Sequence, residues 1–336
     1  MKVDAGILGQ GLASVPARVR ALEAEGYDGA VSAEIASDPF LPLALAAEHS
    51  ERLELLTSIA VAFARNPMSL AVVGHDLNAF SQGRLILGLG SQIRAHIAKR
   101  FGMPWSKPAS RMREFVLAMR AIWRCWYEGE PLRFEGEFYR HTLMTPMFVP
   151  PEKRFGAPRV FLAAVGPAMA EVAGEVADGL IAHAFTTPRY LREVTLPALE
   201  RGLARAGRKR EDFEITCPVF VVSGRSEEEL LASRTATRRQ IAFYGSTPAY
   251  RGVLERSGRD GLQEELNRLS KRGRWEAMGE LVDDALLAEF AVVGRPEEVP
   301  RLVAARLSGL TQRVLCSFDG LEREQRAAAL ALLRSA

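Results

Sequence analysis

One apolar stretch of the sequence ends in a glycine turn of the kind that can bind a phosphate group. It reads GRLILGLGSQIRAHI over residues 83–97, and Arg94 and His96 follow the turn at Gly88–Gly90. A glycine turn that leads into a helix presents backbone amides to an anion or to a flavin-like ring. The dinucleotide fingerprint G-x-G-x-x-G requires a third glycine, and this chain has Ile93 in that place. Classical NAD binding at this turn is therefore disfavoured.

Cysteine and histidine spacing gives little support for a metal centre or a thiol nucleophile. Cys125, Cys217 and Cys316 are far apart and form no C-x-x-C pair, which is typical of buried free thiols. The five histidines show no i, i+4 pairing with a carboxylate of the kind that binds zinc. We therefore expect no metal in the site.

Composition excludes several classes of protein. The 336 residues include 44 Lys+Arg and 41 Asp+Glu, a net charge of +3 that is too balanced for binding nucleic acid. No run of 18 apolar residues could span a membrane, and the strand-like KVDAGILG after Met1 is unlike a secretory leader. These features predict a cytoplasmic protein that acts on a small molecule and binds neither nucleic acid nor membranes.

Strand-like and helical segments alternate along the chain and form eight units. The strands are predicted at 2–8, 29–34, 52–61, 84–90, 159–166, 178–184, 213–224 and 312–320. They are apolar through most of their length, as expected for parallel strands covered on both faces. Eight such units favour a single (β/α)8 TIM-barrel domain over 1–336, with insertions at about 130–158 and 245–311.

Some local boundaries follow from capping and periodicity. Ser14 is expected to cap the first helix and Gly26 to end it, and the helix after the fourth strand is expected from about Ser91. FAVVGRPEEVPRLVAARL is interpreted as the lead-in to the eighth helix rather than as a strand. The aromatic first insertion is expected to form a lid or a dimer surface. Its apolar residues, which predict a hydrophobic substrate channel, are Phe134, Phe138, Tyr139, Met144, Met147 and Phe148.

In a (β/α)8 barrel, function lies at the C-terminal ends of the strands. His183 ends the sixth predicted strand, so a role in the site and a structural role are both open. The segments predicted at this end are Gly9–Gly11, Glu34–Asp38, Ser58–Asn66, Gly88–His96, Ala164–Ala168, His183–Thr187, Ser223–Gly224 and Ser317–Gly320.

An ordered set of motifs resembles the luciferase-like family of flavin and deazaflavin oxidoreductases. The set consists of LTSIAVAFARNPMSLA, GRLILGLGSQIRAHIAKRFGMPW, AAVGPAMAEVAGEVADGLI and FAVVGRPEEV, and the match covers nearly the whole chain. The extended form GLGSQIRAHIAKRFGMPWSKPASRMREF is more similar to the branch that uses coenzyme F420 than to bacterial luciferases. The resemblance implies a homodimeric barrel that binds coenzyme F420, or alternatively FMN, at the strand ends.

The resemblance also implies roles for individual residues. The bond Ser58–Ile59 matches a non-proline cis peptide that supports the cofactor ring. Gly90 and Ser91 would lie against the cofactor, and His96 matches a polar position that contacts it. Gly166, Pro167 and Ala168 open the helix that binds the cofactor phosphate.

This sequence departs from the deazaflavin-dependent alcohol dehydrogenases at two positions. Those relatives place a histidine at the end of strand two and a carboxylate after the strand-four glycines, where this chain has Glu34 and Ile93. Dehydrogenation of an alcohol or sugar is therefore disfavoured. Glu34 is the best remaining carboxylate, as a general acid or base if its surroundings raise its pKa, or otherwise in a salt bridge or cap.

The function expected from these residues is hydride transfer between the deazaflavin and a small hydrophobic carbonyl, imine or alkene. Glu34 or His183 would handle the proton, while the cofactor carries the redox chemistry. One alternative is an FMN-dependent monooxygenase supplied by a separate flavin reductase. Another is a non-catalytic protein that binds the deazaflavin or flavin.

Overall fold

The computed structural model describes residues 1–7 and 11–336, and its central feature is a closed barrel of parallel strands. The barrel strands are β1 Lys2–Gly6, β2 Gly29–Ser32, β3 Glu54–Thr57, β4 Leu85–Gly90, β5 Arg159–Ala164, β6 Gly179–Ala182, β7 Glu214–Pro218 and β8 Arg313–Leu315. Each strand pairs with its neighbours in the chain, β8 pairs with β1, and β3 pairs with β4 to complete the ring. The predicted (β/α)8 barrel is confirmed. The predicted site residues Gly9 and Gln10, and the strand end Leu8, lie outside the described residues.

Helices surround the barrel, with one principal helix after each barrel strand. The principal ones are α1 Val15–Glu25, α2 Phe40–Glu48, α3 Pro67–Phe80, α4 Pro108–Glu128, α5 Pro167–Val176, α6 Leu196–Arg205, α7 Glu227–Gly245 and α8 Arg323–Ser335. Gly26 ends α1 with a positive φ of 90°, as expected for a glycine stop. Ser14 precedes α1 but its hydroxyl donates to the Gly11 carbonyl, so it does not cap the helix as predicted. In the described part of the chain, no helix is long and apolar enough to cross a membrane.

The predicted strand over 213–224 is two strands with different partners. After β7 ends at Pro218, the segment Phe220–Val222 pairs in parallel with Ala291–Val293 outside the barrel. Ala291–Val293 belongs to FAVVGRPEEVPRLVAARL, which is interpreted from the sequence as a lead-in to the eighth helix rather than as a strand. That interpretation is therefore wrong. The helix Val299–Leu307 does follow, but it precedes β8. Short helices between the two outer strands are Arg251–Arg256, Leu262–Ser270, Trp275–Glu280 and Asp284–Phe290.

The helix expected from about Ser91 is also wrong. Gln92 has a positive φ of 57°, a left-handed conformation that interrupts a helix. One π-helical turn follows at His96–Arg100, and α4 begins only at Pro108. Several backbone groups of this irregular segment after β4 therefore lie at the C-terminal end of the barrel and are not part of a regular helix.

The first insertion is a small hairpin held on α4. Its strands are Phe134–Glu135 and Arg140–His141. The carboxylate of Glu114 accepts hydrogen bonds from the amides of three consecutive hairpin residues, 137–139, at 2.6–2.9 Å. Arg111, which is almost fully buried, donates to the Tyr139 hydroxyl at 2.8 Å. These contacts fix the insertion along the outside of α4.

Buried charges close the N-terminal end of the barrel. Arg313 is fully buried and donates to both carboxylate oxygens of Asp4, at 2.6 and 2.9 Å. The third guanidinium nitrogen of Arg313, Nη1, contacts Glu54 and Glu214, and Glu54 also pairs with Arg159. Burial alone would raise the pKa of Glu54, but Arg313 and Arg159 hold it down to about 2. Side chains from five different strands are thereby joined in one network.

An apolar layer lies above these charges, inside the barrel. It consists of Val31, Leu56, Ile86, Phe161 and Ile181. Beyond it, β4 approaches β3 so closely that a Cβ on Gly88 would lie 1.8 Å from the Thr57 carbonyl oxygen. The Thr57 hydroxyl bonds both backbone groups of Gly88, at 2.7 and 2.9 Å. The first glycine of the turn is therefore required by strand packing and not by a phosphate.

Substitution Glu54→Gln tests the charge network. The folded pKa of about 2 lies below the ordinary value of 4.5, so ionised Glu54 stabilises the fold at pH values above 4.5. This contribution is lost as the pH falls from 4.5 towards 2. We expect the free energy of unfolding of the variant, measured with urea at pH 7, to be about 2–3 kcal/mol lower than that of wild type. The difference in free energy of unfolding between the variant and wild type should shrink at pH 3. The control Glu280→Gln, on the exposed surface, should have little effect. Equal losses in Glu54→Gln at both pH values would contradict this account.

Candidate functional site

A cavity of about 1250 Å³ opens at the C-terminal ends of the barrel strands. This volume exceeds that of typical sites for one small ligand, roughly 300–1000 Å³, and suits a cofactor together with a substrate. The predicted site residues that border it are Ser58, Ile59, Gly90, Ser91, Gly166, Pro167, Ala168 and His183. Glu34 and His96 are not among the bordering residues. The structure thus brings together most of the residues that the resemblance singles out.

The wall formed by β3 and β4 is a close packing of two backbones. The peptide bond Ser58–Ile59 is cis, which is the geometry that the resemblance implies. The Ser58 amide donates to the Ser32 carbonyl at 2.7 Å, so this segment is anchored on β2. A Cβ on Gly90 would lie 2.9 Å from the end of the Ile59 side chain. Glycine at 90 therefore lets Ile59 lie flat against β4.

Glu34 stabilises that wall from behind. Its carboxylate accepts hydrogen bonds from the Val61 amide at 2.7 Å and from Arg65 at 2.5 Å, and its side chain is only 9% exposed. The Glu34 amide donates to the Ile59 carbonyl at 3.1 Å, and Arg65 also donates to the Val61 carbonyl. This is the salt-bridged alternative considered for Glu34. Its catalytic role stays a prediction that this geometry does not favour.

The segment after β4 carries the polar groups nearest to this wall. Ser91, Gln92 and the exposed Arg94 border the cavity. His96 lies on the exposed side of the π-helical turn, away from the cavity lining. The expected contact between His96 and a cofactor is therefore not supported by its position.

The N-terminus of α5 faces the cavity. Gly166 is the N-cap residue, Pro167 follows at the first helical position, and no acidic residue stands in the first turn. The amides of Ala168 and Met169 precede the first residue that can donate to a carbonyl within the helix, so the helix itself offers them no acceptor. No atom outside its immediate neighbours would lie within 4 Å of a Cβ on Gly166, so there is open space beside the N-cap residue, which borders the cavity. The arrangement fits an anion such as a phosphate.

His183 borders the cavity just after β6, the strand that pairs with β5. The Phe185 amide donates to its Nδ1 at 2.9 Å, which assigns the ring proton to Nε2 in the neutral form. Burial lowers the pKa of His183 to about 4, so the ring is neutral near pH 7. In this state Nε2 donates a hydrogen bond and has no lone pair for a proton. His183 can therefore polarise an acceptor but is a poor general base.

Several bordering residues could not be found from the sequence. Phe220, Val221, Thr237, Gln240, Tyr244 and Tyr250 come from the outer strand, from α7 and from the segment after it. They belong to no short motif and meet only because the chain leaves the barrel after β7. Trp105 also borders the cavity, and its only signal is the GMPW in the family pattern. The six insertion residues proposed for a substrate channel do not border the cavity, so that expectation is wrong; Met147, for example, is 84% exposed.

The thiols give no nucleophile. Cys316 borders the cavity, but burial raises its pKa to about 12, and burial has the same effect on Cys217. Both thiols are therefore protonated near neutral pH. Cys125 is partly exposed on α4 and does not border the cavity.

Comparison with known proteins agrees with the barrel fold. Residues 1–312 match the family described as luciferase-like monooxygenase. The chain belongs to the luciferase-like monooxygenase family. Its similarity to other proteins extends over nearly its whole length.

Three similar proteins illustrate the breadth of the luciferase-like family. A protein of Mycobacterium tuberculosis named as uncharacterized is 57% identical over 324 residues, covering 96% of this chain and 95% of its own. Another from the same organism, provisionally named a coenzyme F420-dependent oxidoreductase, is 29% identical and covers 88% of both chains. The solved structure of a coenzyme F420-dependent tetrahydromethanopterin reductase from Methanopyrus kandleri has a TM-score of 0.78, with 22% identity and coverage of 99% and 97%. This last likeness concerns the fold.

Substitution Glu34→Gln tests whether Glu34 anchors the cavity wall in this luciferase-like protein. Loss of the charge facing Arg65 should lower the free energy of unfolding by about 1–3 kcal/mol. Hydrogen exchange at the Val61 amide should accelerate, because Glu34 accepts that hydrogen. The control Asp38→Asn changes the outer, 41% exposed partner of Arg65 and should cost less than about 1 kcal/mol. Unchanged stability and unchanged Val61 exchange in Glu34→Gln would contradict the anchoring role.

Proposed function

We propose that this protein is a coenzyme F420-dependent oxidoreductase that transfers a hydride between the deazaflavin and a small hydrophobic carbonyl, imine or alkene. One observation carries the proposal. The segments Ser58–Ile59, Gly90–Ser91 and Gly166–Ala168 border the same cavity, and they are the positions that the family resemblance assigns to the cofactor. The relative named as an F420-dependent oxidoreductase supports the choice of cofactor.

The residues of the cavity fit such a cofactor. The close packing of Ile59 on Gly90 offers a flat surface for a planar ring, and the α5 N-terminus offers amides for its phosphate. The two sites border one continuous cavity. A bound deazaflavin supplies hydride chemistry without the radical and oxygen chemistry of a flavin.

The chain itself supplies placement and an apolar environment. Glu34 and Arg65 hold the wall on which the ring would rest, and the N-terminus of α5 would hold the phosphate. Trp105, Phe220 and Tyr244 border the same cavity and contribute aromatic surface to it. His183 donates a hydrogen bond to the reacting group from its Nε2.

An FMN-dependent monooxygenase is the second candidate, and the description of the family favours it. The same amides would bind the FMN phosphate, and a separate reductase would supply reduced flavin. The absence of a carboxylate among the described bordering residues leaves both candidates without an acidic group in the cavity.

Fluorescence titration with oxidised coenzyme F420 and, in parallel, with FMN distinguishes the two. We expect F420 to bind at least about tenfold more tightly than FMN, a difference of about 1.4 kcal/mol. Reduced F420 should then be consumed in the presence of a suitable acceptor. Tighter binding of FMN, with oxygen uptake when reduced FMN is added, would favour the monooxygenase. Binding of F420 with no turnover across a broad panel of acceptors would favour a non-catalytic protein.

Two variants of Ala168 test the phosphate position in the same titration. Ala168→Asp places a negative charge in the first turn of α5, where it stabilises the helix but repels a phosphate. We expect about tenfold or weaker F420 binding with no loss of thermal stability. Ala168→Asn has nearly the same shape without the charge and should bind within about threefold of wild type. Equal affinities of the two variants would show that the phosphate does not bind at this helix.

A further inference from the structure

The two sides of the cavity differ in chemistry. The proposed cofactor side consists of backbone groups and small side chains. A second part of the lining, called the second side here, consists of His183, Phe220, Thr237, Gln240, Tyr244 and Tyr250. Among the described residues that border the cavity, Arg94 is the one with a formal charge, and it lies on the cofactor side after β4. The second side is therefore aromatic, with neutral polar groups at a few positions.

His183 is the most rigidly held polar group on this second side. Its ring packs edge to face on Tyr244, with centroids 4.5 Å apart, and against Tyr250 at 5.1 Å. Phe185 fixes the orientation of the ring by donating to Nδ1. Tyr250 is half-buried, and burial together with the neighbouring Tyr244 raises its pKa to about 12. The imidazole is thus oriented by three contacts before any ligand arrives.

The Nε2 of His183 is available to a ligand. No hydrogen-bond partner for it is present among the described residues, and it is not one of the buried, unpartnered polar atoms. Because His183 borders the cavity, Nε2 is accessible from that side. An oriented donor in a largely apolar surrounding gives a ligand acceptor a strong and directional hydrogen bond.

We propose that the Nε2–H of His183 binds the carbonyl oxygen of an uncharged, largely apolar substrate that packs against Tyr244 and Tyr250. This inference rests on the proposed function, in which the cofactor occupies part of the same cavity, and within the substrate class proposed there it favours a hydrogen-bond acceptor, here a carbonyl, over an alkene. A neutral ring cannot compensate an anionic substrate group, and no carboxylate is present among the described bordering residues to pair with a cation. Burying either charge there would be unfavourable. An alkene would leave the donor unpaired.

Acetophenone is a suitable probe, because its ring fits an aromatic site and its oxygen is a hydrogen-bond acceptor. Two matched probes change one property each: α-methylstyrene replaces the carbonyl by an alkene, and benzoate adds a negative charge. Binding is measured by calorimetry on the full chain, with and without oxidised F420. The carbonyl stretching frequency of bound, ¹³C-labelled acetophenone is recorded by infrared difference spectroscopy.

His183→Phe keeps an aromatic ring between the tyrosines and removes the donor, whereas His183→Gln retains an N–H donor. We expect His183→Phe to weaken acetophenone binding by about 3- to 10-fold, the effect of one neutral hydrogen bond, and to leave α-methylstyrene binding unchanged. The carbonyl frequency should be lowered in wild type and His183→Gln relative to His183→Phe. In wild type, ¹⁵N NMR should show the His183 proton on Nε2.

The proposal is overturned if His183→Phe binds acetophenone as tightly as wild type, or if the carbonyl frequency is the same in both. Tighter binding of benzoate than of acetophenone, or no saturable acetophenone binding, would also overturn it. Failure of the cofactor proposal has a different signature: F420 fails to bind in the titration, while the His183-dependent carbonyl shift persists without cofactor.

Discussion

The buried guanidinium of Arg313 is the interaction on which the rest of the barrel depends. It lies at the start of β8 and joins Asp4 of β1, Glu54 of β3 and Glu214 of β7, and Glu54 extends the network to Arg159 of β5. Burial alone would lower the pKa of Arg313, but the surrounding carboxylates raise it, so the group stays charged. Asp4 also fills the space next to Gly29, where a Cβ would lie 2.4 Å from its carboxylate. The starts of the strands are thus fixed relative to one another.

Fixing one end of parallel strands also fixes the other end, because each strand keeps a constant register with its neighbours. The wall at Ser58–Ile59, the turn at Gly90, the start of α5 and His183 therefore meet above the apolar layer. A buried charge network closes the N-terminal end of the barrel, whereas Arg94 is the one residue with a formal charge among the described residues that border the cavity at the other end. A neutral, apolar cavity strengthens the few directed contacts within it, which are the α5 amides and the Nε2 of His183.

Much of the barrel could be predicted from the sequence because local signals agree with the fold. Apolar strand runs alternate with helical periodicity, and α1 ends at the predicted Gly26. The turn glycines Gly88 and Gly90 could be recognised in the sequence, but the structural requirement for them could not. They allow the close packing of β4 on β3 and on Ile59. The outer pair of strands could not be predicted, since Phe220–Val222 and Ala291–Val293 are far apart in the chain and meet only in the fold.

The state of the polar residues in the site was harder to predict. Glu34 could be recognised from the sequence as a carboxylate at the strand ends. Its hydrogen bonds with Val61 and Arg65 could not, because they depend on how the chain turns after β3. His183 was found by its position, whereas its neutral state follows from burial and from the Phe185 amide. The tyrosines around it come from helical segments with no motif of their own.

A crystal structure of the protein with oxidised coenzyme F420 tests the central claim most directly. The account predicts the deazaflavin ring against Ser58, Ile59 and Gly90, and the phosphate within hydrogen-bond distance of the Ala168 and Met169 amides. The face of the ring next to His183 should remain open to substrate. A cofactor bound elsewhere, or a phosphate away from the α5 N-terminus, would contradict the account.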